Sequence, residues 1–164
     1  MPDRQDITIA PFRSGDQTAA RQLILDGLVE HWGWLDTHKN PDLEDIGASY
    51  LAGFFLVARC DDGVVGTGAF IPVGGAVVQI VRMSVERSMR RQGLGRRILD
   101  ELCARAWHTG YRRAVLETTE FWEEVIAFYL RCGFSVTHRR NSDVYFAMDL
   151  TGSTGTDYAR YLPR

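Results

Sequence analysis

From Ile7 to Phe12 apolar and polar positions alternate, the period-two pattern of a half-buried strand. Ser14 followed by Gln17 resembles a capping box, and it predicts a helix that turns Leu23, Leu25 and Leu28 towards a core. His31 to Asn40 reads as a loop rich in Trp, His and Gly, and Pro41-Asp42 opens a second short helix running through Tyr50 and Leu51. Phe54 to Ala58 and Val64 to Ile71 are β-prone runs joined by the hairpin signal Asp61-Asp62-Gly63. Gly74-Gly75 marks the next turn and Ala76 to Val85 a further strand, so these strands form an antiparallel meander.

The period then changes. Leu94, Ile98, Leu99, Leu102 and Ala106 recur at helical spacing, with Arg96, Arg97, Asp100, Glu101 and Arg105 on the other faces and Gly110 placed to end the helix. Ala114 to Thr118 reads as a strand, Glu123 to Arg131 as a helix stopped by Gly133, and Phe134 to Thr137 and Val144 to Leu150 as strands around Asn141-Ser142-Asp143. The order is that of an α+β sheet with a β-α-β crossover in its C-terminal half. No linker or repeat interrupts residues 1–150, read as one domain; residues 151–164 are a Gly/Ser/Thr-rich tail expected to be mobile or packed on a partner.

Composition narrows the classes. The 164 residues suffice for one core, and a net charge of −2 supplies no global field to recruit nucleic acid. No apolar run approaches the roughly 20 residues of a membrane span. The polar start, Met1 to Asp6, lacks the apolar segment of a signal peptide. Cys60, Cys103 and Cys132 are isolated, without metal-ligand or redox-pair spacing, which suits small core hydrophobes in a reducing cytoplasm.

The stretch that carries chemistry is Val81 to Arg97. A strand runs into a short basic loop with two glycines, and the loop opens a helix. N–H groups at such a helix start have no internal partner and point outward with the positive end of the macrodipole, which makes an anion site. Gly93 and Gly95 let a pyrophosphate approach the backbone, and Arg87, Arg90, Arg91, Arg96 and Arg97 add charge. A P-loop is absent, and a dinucleotide fingerprint fails because Ile98 stands where a third small residue belongs. Taken without further context, the segment also reads as a solvated basic loop at a helix start.

Arg90-Arg91-Gln92-Gly93-Leu94-Gly95 resembles the Arg/Gln-x-x-Gly-x-Gly/Ala pattern of the GNAT superfamily of N-acetyltransferases, in the same strand-loop-helix context. Ala127-Phe128-Tyr129-Leu130-Arg131-Cys132-Gly133-Phe134 is similar to that family's Phe/Leu-Tyr-x-x-x-Gly-Phe segment. The two motifs and the meander cover roughly residues 7–150. The resemblance implies a mixed, mainly antiparallel central sheet flanked by helices, with acetyl-CoA as co-substrate. It implies a pyrophosphate cradle of Arg90, Arg91, Gln92, Gly93, Leu94, Gly95 and Arg96, and backbone pairing of Met83 and Val85 with the pantetheine arm. It also assigns Tyr129 to protonating the departing thiolate; otherwise Tyr129 is a half-buried packing residue.

Counting back from the glycines puts Gln79 where some members of the family carry a basic carboxylate, and an amide is no base. Glu117 and Glu120, at the end of the neighbouring strand, are the substitutes, with Glu117 preferred; each is equally a solvated carboxylate. The amine can also arrive already deprotonated. His31, Trp32, Trp34, Asp36 and His38 lie in the loop that commonly shapes the acceptor pocket in the family, where aromatics stack or hold a cation, or else cap the core. Phe121-Trp122 is a similar case; some members carry near Trp122 an Asn that contacts CoA, and Trp cannot copy its hydrogen bonding. The expectation is transfer of an acetyl group to a small-molecule primary amine, without nucleic-acid or membrane partners, in a possible homodimer. Protein or peptide acetylation, and a CoA-binding module without turnover, are the alternatives.

Overall fold

A computed structural model describes residues 6–36 and 38–152. The alternating segments of the first half become β1 (Thr8–Pro11), β2 (Phe54–Cys60), β3 (Gly63–Gly74) and β4 (Val77–Val85), with α1 (Gln17–Trp32) and the single-turn α2 (Ile46–Ser49) between β1 and β2. The second half supplies α3 (Leu94–His108), β5 (Arg113–Thr119), α4 (Glu123–Arg131), β6 (Ser135–Arg140) and β7 (Asp143–Asp149). The seven strands form one sheet in the order β1-β2-β3-β4-β5-β7-β6, antiparallel throughout except for β4 and β5, which α3 joins as a parallel crossover. The α+β class, the meander and the crossover are as the hydrophobic pattern implies. No helix among the described residues is long and apolar enough to cross a membrane.

The sheet is covered on both faces. Ile98, Leu99, Leu102 and Ala106 of α3, with Tyr129 of α4 and Phe134, pack against Leu56, Ile80, Leu116 and Phe146. Ala20, Ile24 and Leu25 of α1, with Leu43 and Ile46, pack against Phe55, Val57 and Ala69. Gly66 and Gly68 of β3 make room for α3, because a Cβ on either would lie 2.7 or 2.6 Å from a terminal carbon of Ile98.

Four local expectations are corrected. The box at the start of α1 is made by Asp16, whose carboxylate accepts the Arg13 N–H at 2.8 Å and pairs with Arg59; Arg59 holds its carboxyl below the usual carboxylate range. Gln17 instead reaches across to Leu43 and Ile46, donating to one carbonyl at 2.8 Å and accepting the other's N–H at 3.0 Å. α1 runs on through His31 and Trp32, because Gly33 at φ 74° supplies the left-handed cap whose N–H bonds the Val29 carbonyl. Its buried stripe is Ala20, Ile24 and Leu25, with Leu23 and Leu28 only half-buried. Pro41 to Leu51 is two separate turns, one of them α2, since Asp45 caps a new turn at the Ala48 N–H. The tail expectation falls largely on residues 153–164, outside the described residues.

Gly53, just before β2, tests this packing. A Cβ there would stand 2.1 Å from the Phe70 carbonyl oxygen, a backbone atom held in the β2–β3 ladder. Overpacking costs about 1–3 kcal/mol and more where nothing can yield, and each kcal/mol lowers Tm by roughly 2–4 °C at this size. Gly53→Ala should therefore melt about 6 °C or more below the wild type. Gly15→Ala, with nothing within 4 Å, should melt within about 2 °C of it. Equal melting of the two variants would contradict the seating of β2 on β3.

Candidate active site

β4 and β5 pair at Val77–Arg113, Val78–Ala114 and Gln79–Val115, and then part. Beyond that point β4 stays on β3 as far as Val85, and β5 stays on β7 as far as Thr119. A wedge therefore opens in the middle of the sheet, with Gln79 at its root. On its β4 side, Arg82 and Met83 together face the single residue Gly68, a bulge in which Arg82 takes φ 55°. Two anchors hold the bulge. The Thr67 hydroxyl donates to the Arg82 carbonyl at 2.8 Å, and the Arg82 guanidinium forks onto Asp42 at 2.6 and 3.0 Å. Asp42 also accepts from the Tyr50 hydroxyl at 2.6 Å. Burial opposes ionisation of Asp42, yet these donors outweigh it and leave the carboxyl below its usual range.

On the α3–α4 side the wedge leads into a cavity of about 790 Å³. Eight residues of the sequence-derived cofactor set line it: Met83, Val85, Arg90, Arg91, Gly93, Leu94, Gly95 and Arg96. The ninth, Gln92, is turned away and donates to the Ser88 carbonyl at 3.2 Å. Gly93 at φ 83° turns the chain into α3, so the N–H groups of Leu94, Gly95 and Arg96 open the helix without partners among the described residues. The basic residues divide. Arg90 is spent within the protein, forking onto Glu30 at 2.6 and 2.9 Å and donating to the Val85 carbonyl at 3.0 Å. Arg91, its side chain 84% exposed, reaches Glu124 at only 3.2 Å, and Arg96 touches the Arg131 carbonyl at 3.3 Å. These two are the movable cations at the rim. The open helix start and the flanking cations fit a nucleotide pyrophosphate.

A second cavity of about 350 Å³ lies towards α1. It shares Met83, Ser84, Val85, Arg90, Glu124, Val125 and Tyr129 with the first, so the two meet across the wedge. Ile24, Leu28, Ile80, Leu116 and Trp122 give it an apolar wall, and Glu117 and Thr118 line it from β5. His31 and Trp122, 91 positions apart in the sequence, meet with ring centroids 4.4 Å apart and planes tilted by 34°. Trp32 leans on Trp122 at 5.3 Å. Glu120 and Gln79 line neither cavity, and Trp34, Asp36 and His38 stand away from both.

Tyr129 is 8% exposed and lines both cavities. Its ring is fixed edge-on by Phe128 at 5.1 Å and Phe134 at 5.9 Å, and its hydroxyl has no hydrogen bond among the described residues. Burial pushes its pKa far up, so it stays protonated across the working range. Burial likewise raises Cys132, at the edge of the larger cavity, and pushes Cys103 up to about 12. Sequence reasoning missed Thr118, whose hydroxyl is buried without a partner, and the Arg82–Asp42 and Arg90–Glu30 pairs. It also missed Gly27, where α1 comes close over Ser84.

Comparison with known proteins agrees with this geometry. The model of the acetyltransferase (GNAT) family matches residues 19–134. N-acetyltransferase 8F1 of Rattus norvegicus is 35% identical over 114 residues, 65% of this chain and 52% of that protein. The uncharacterised N-acetyltransferase YjgM of Escherichia coli is 28% identical over 66% of each chain. The chain thus spans about half the length of the first of these relatives. Among solved structures, a GNAT-family acetyltransferase of Staphylococcus aureus Mu50 superposes with a TM-score of 0.82 at 21% identity, covering 89% of this chain and all of the other. The PaiA N-acetyltransferase of Thermoplasma acidophilum, solved with coenzyme A, gives 0.77 at 16% identity over 88% of this chain and 99% of that one. With its wedge, its glycine-opened helix and a family match across most of its length, the chain belongs to the GNAT acetyltransferase family.

Proposed function

We propose that the protein is an acetyl-CoA-dependent N-acetyltransferase that acylates a primary amine of a small molecule by direct transfer. The observation that carries this reading is that Tyr129, alone among the buried hydroxyl residues of the described chain, lines both cavities, one suited to a pyrophosphate and the other walled in part by apolar side chains. Unpaired N–H groups of Leu94, Gly95 and Arg96 would hold the pyrophosphate of acetyl-CoA, with Arg91 and Arg96 closing over it. The unpaired edge of β4 at Met83 and Val85 would carry the pantetheine arm. Arg90 takes an indirect part here, fastening the loop to α1 through Glu30. The thioester supplies the acetyl group: a C–N bond replaces a C–S bond, the nitrogen loses a proton and the departing sulfur gains one.

Tyr129 keeps a proton at Oη because burial disfavours the phenolate, and it offers that proton to the departing sulfur. Glu117, exposed at the mouth of the smaller cavity, takes the proton from the amine nitrogen. The three unpaired cysteines are in keeping with a reducing cytoplasm as the place of work.

Charge reversal tests the cradle. Arg91→Glu with Arg96→Glu should weaken acetyl-CoA binding by about tenfold or more at low ionic strength, with the effect shrinking as salt is added. Calorimetry that finds unchanged affinity in a normally melting double variant would remove the pyrophosphate assignment. Tyr129→Phe keeps the ring and deletes only the hydroxyl. It should leave Tm and acetyl-CoA affinity nearly unchanged and lower kcat by about 10²–10⁴-fold. Because its folded pKa is raised, Tyr129 should put no alkaline limb on the wild-type kcat profile below about pH 10. Wild-type turnover in the Phe variant would make Tyr129 a packing residue.

A further inference from the structure

The charges around the smaller cavity are not equally available. Arg82 is forked onto Asp42, and Arg90 is forked onto Glu30. Glu124 is turned to Arg91 at 3.2 Å. Glu117 lines the cavity with no ion pair among the described residues. The neighbouring Thr118 is 8% exposed, lines the same cavity, and its Oγ1 is buried with no hydrogen-bond partner. Buried polar groups are normally partnered, so an orphan hydroxyl on a cavity wall marks a place where a ligand atom completes the bonding. Ile24, Leu28, Ile80, Leu116 and Trp122 supply the apolar part of the wall, and the Trp122 ring meets His31 there at a tilt of 34°.

We propose that the acceptor is an arylalkylamine, a primary amine on a flat apolar body without a carboxylate; this rests on the transfer reading above. The ammonium is attracted by Glu117 and hydrogen-bonds the Thr118 hydroxyl, and the aromatic body lies against Trp122 and the aliphatic wall. A carboxylate beside the amine would be desolvated without a cation to receive it, because both arginines of the cavity already have carboxylate partners. A polyamine would bring further ammonium groups against the aliphatic side chains of Ile24, Leu28, Ile80 and Leu116. At about 350 Å³ the cavity is at the small end of ligand sites, which span roughly 300–1,000 Å³, and a one-ring or two-ring amine suits it.

The test uses the full chain at pH 8. Thiol release from acetyl-CoA is followed with tryptamine, L-tryptophan and spermidine, and tryptamine binding to the CoA-loaded protein is measured by calorimetry. Tryptamine should exceed both other amines in kcat/KM by about tenfold or more, since an unpaired buried charge is at least that unfavourable. Glu117→Gln should lower kcat/KM for tryptamine by at least about tenfold. Trp122→Ala should act mainly by raising KM, as expected of a residue that holds the body of the substrate rather than its reacting nitrogen. Thr118→Val, which keeps the shape and removes the hydroxyl, should weaken tryptamine binding without lowering Tm. Equal or better transfer to L-tryptophan or spermidine would overturn the substrate class and leave the acetyltransferase reading standing. Calorimetric binding of tryptamine that is lost in Glu117→Gln, with no transfer to any amine, would support the pocket assignment and overturn transfer instead. No tryptamine binding at all would overturn the proposal.

Discussion

The bulge at Arg82 and Met83 is the constraint on which the rest of the structure depends. It inserts one extra residue into β4 opposite Gly68 and puts a non-glycine residue at φ 55° in mid-strand. Such a backbone persists only when its surroundings over-determine it. Here the Thr67 hydroxyl fastens the carbonyl of Arg82, and the side chain of the same residue is clamped by Asp42 and Asn40. The clamp also ties the turn after α1 to the centre of the sheet. One residue thus bends the strand, lets β4 leave β5 after three pairs, and positions the segment that closes the far face. Both cavities exist because that separation exists.

A second ion pair does for the helix start what the first does for the strand. Arg90 looks from its place in the motif like a phosphate ligand, yet its guanidinium is fully engaged by Glu30 and the Val85 carbonyl. Its positive charge is neutralised locally, and what remains is mechanical: the loop is strapped to α1 just before the glycine that opens α3. The proposed anion site is then left to backbone N–H groups and to Arg91 and Arg96, which are long, exposed and able to follow a ligand. Backbone donors are fixed by the helix and lose little entropy on binding, so this division puts rigid groups at the centre and adaptable ones at the rim.

What the sequence made legible follows from the range of the interactions. The meander, the crossover helix and the glycine loop are specified by residues within a few positions of one another, and hydrophobic period with turn chemistry reads them directly. Eight of the nine expected cofactor residues line one cavity for the same reason. The pairs that shape the site are remote: Arg82 and Asp42 are 40 positions apart, and Arg90 and Glu30 are 60 apart. A charged residue far along the chain has no signature before the fold brings it in. Gln17 shows the same limit at short range, since its spacing from Ser14 suits a cap while its amide serves α2. The end of α1 was hidden because His31 and Trp32 resemble the polar-aromatic loop that follows, and only the left-handed Gly33 sets the boundary.

The two proton carriers of the proposed reaction are separated by environment in the way a transfer between two bound partners requires. Tyr129 sits among Phe128, Phe134 and Phe146, where desolvation raises the phenol's pKa and guarantees that it is protonated when a thiolate forms nearby. Glu117 is two residues beyond the last β4–β5 pair on a strand end open to solvent, where a proton can pass on to water. A phenol with an ordinary pKa, placed in water, would be a weaker guarantee of protonation; a carboxylate buried beside Phe146 would be neutral and useless as a base. The sheet achieves the contrast without any charged partner for either group. It places one on the covered face and the other at the mouth of the wedge, so the geometry that divides β4 from β5 also divides the acid from the base.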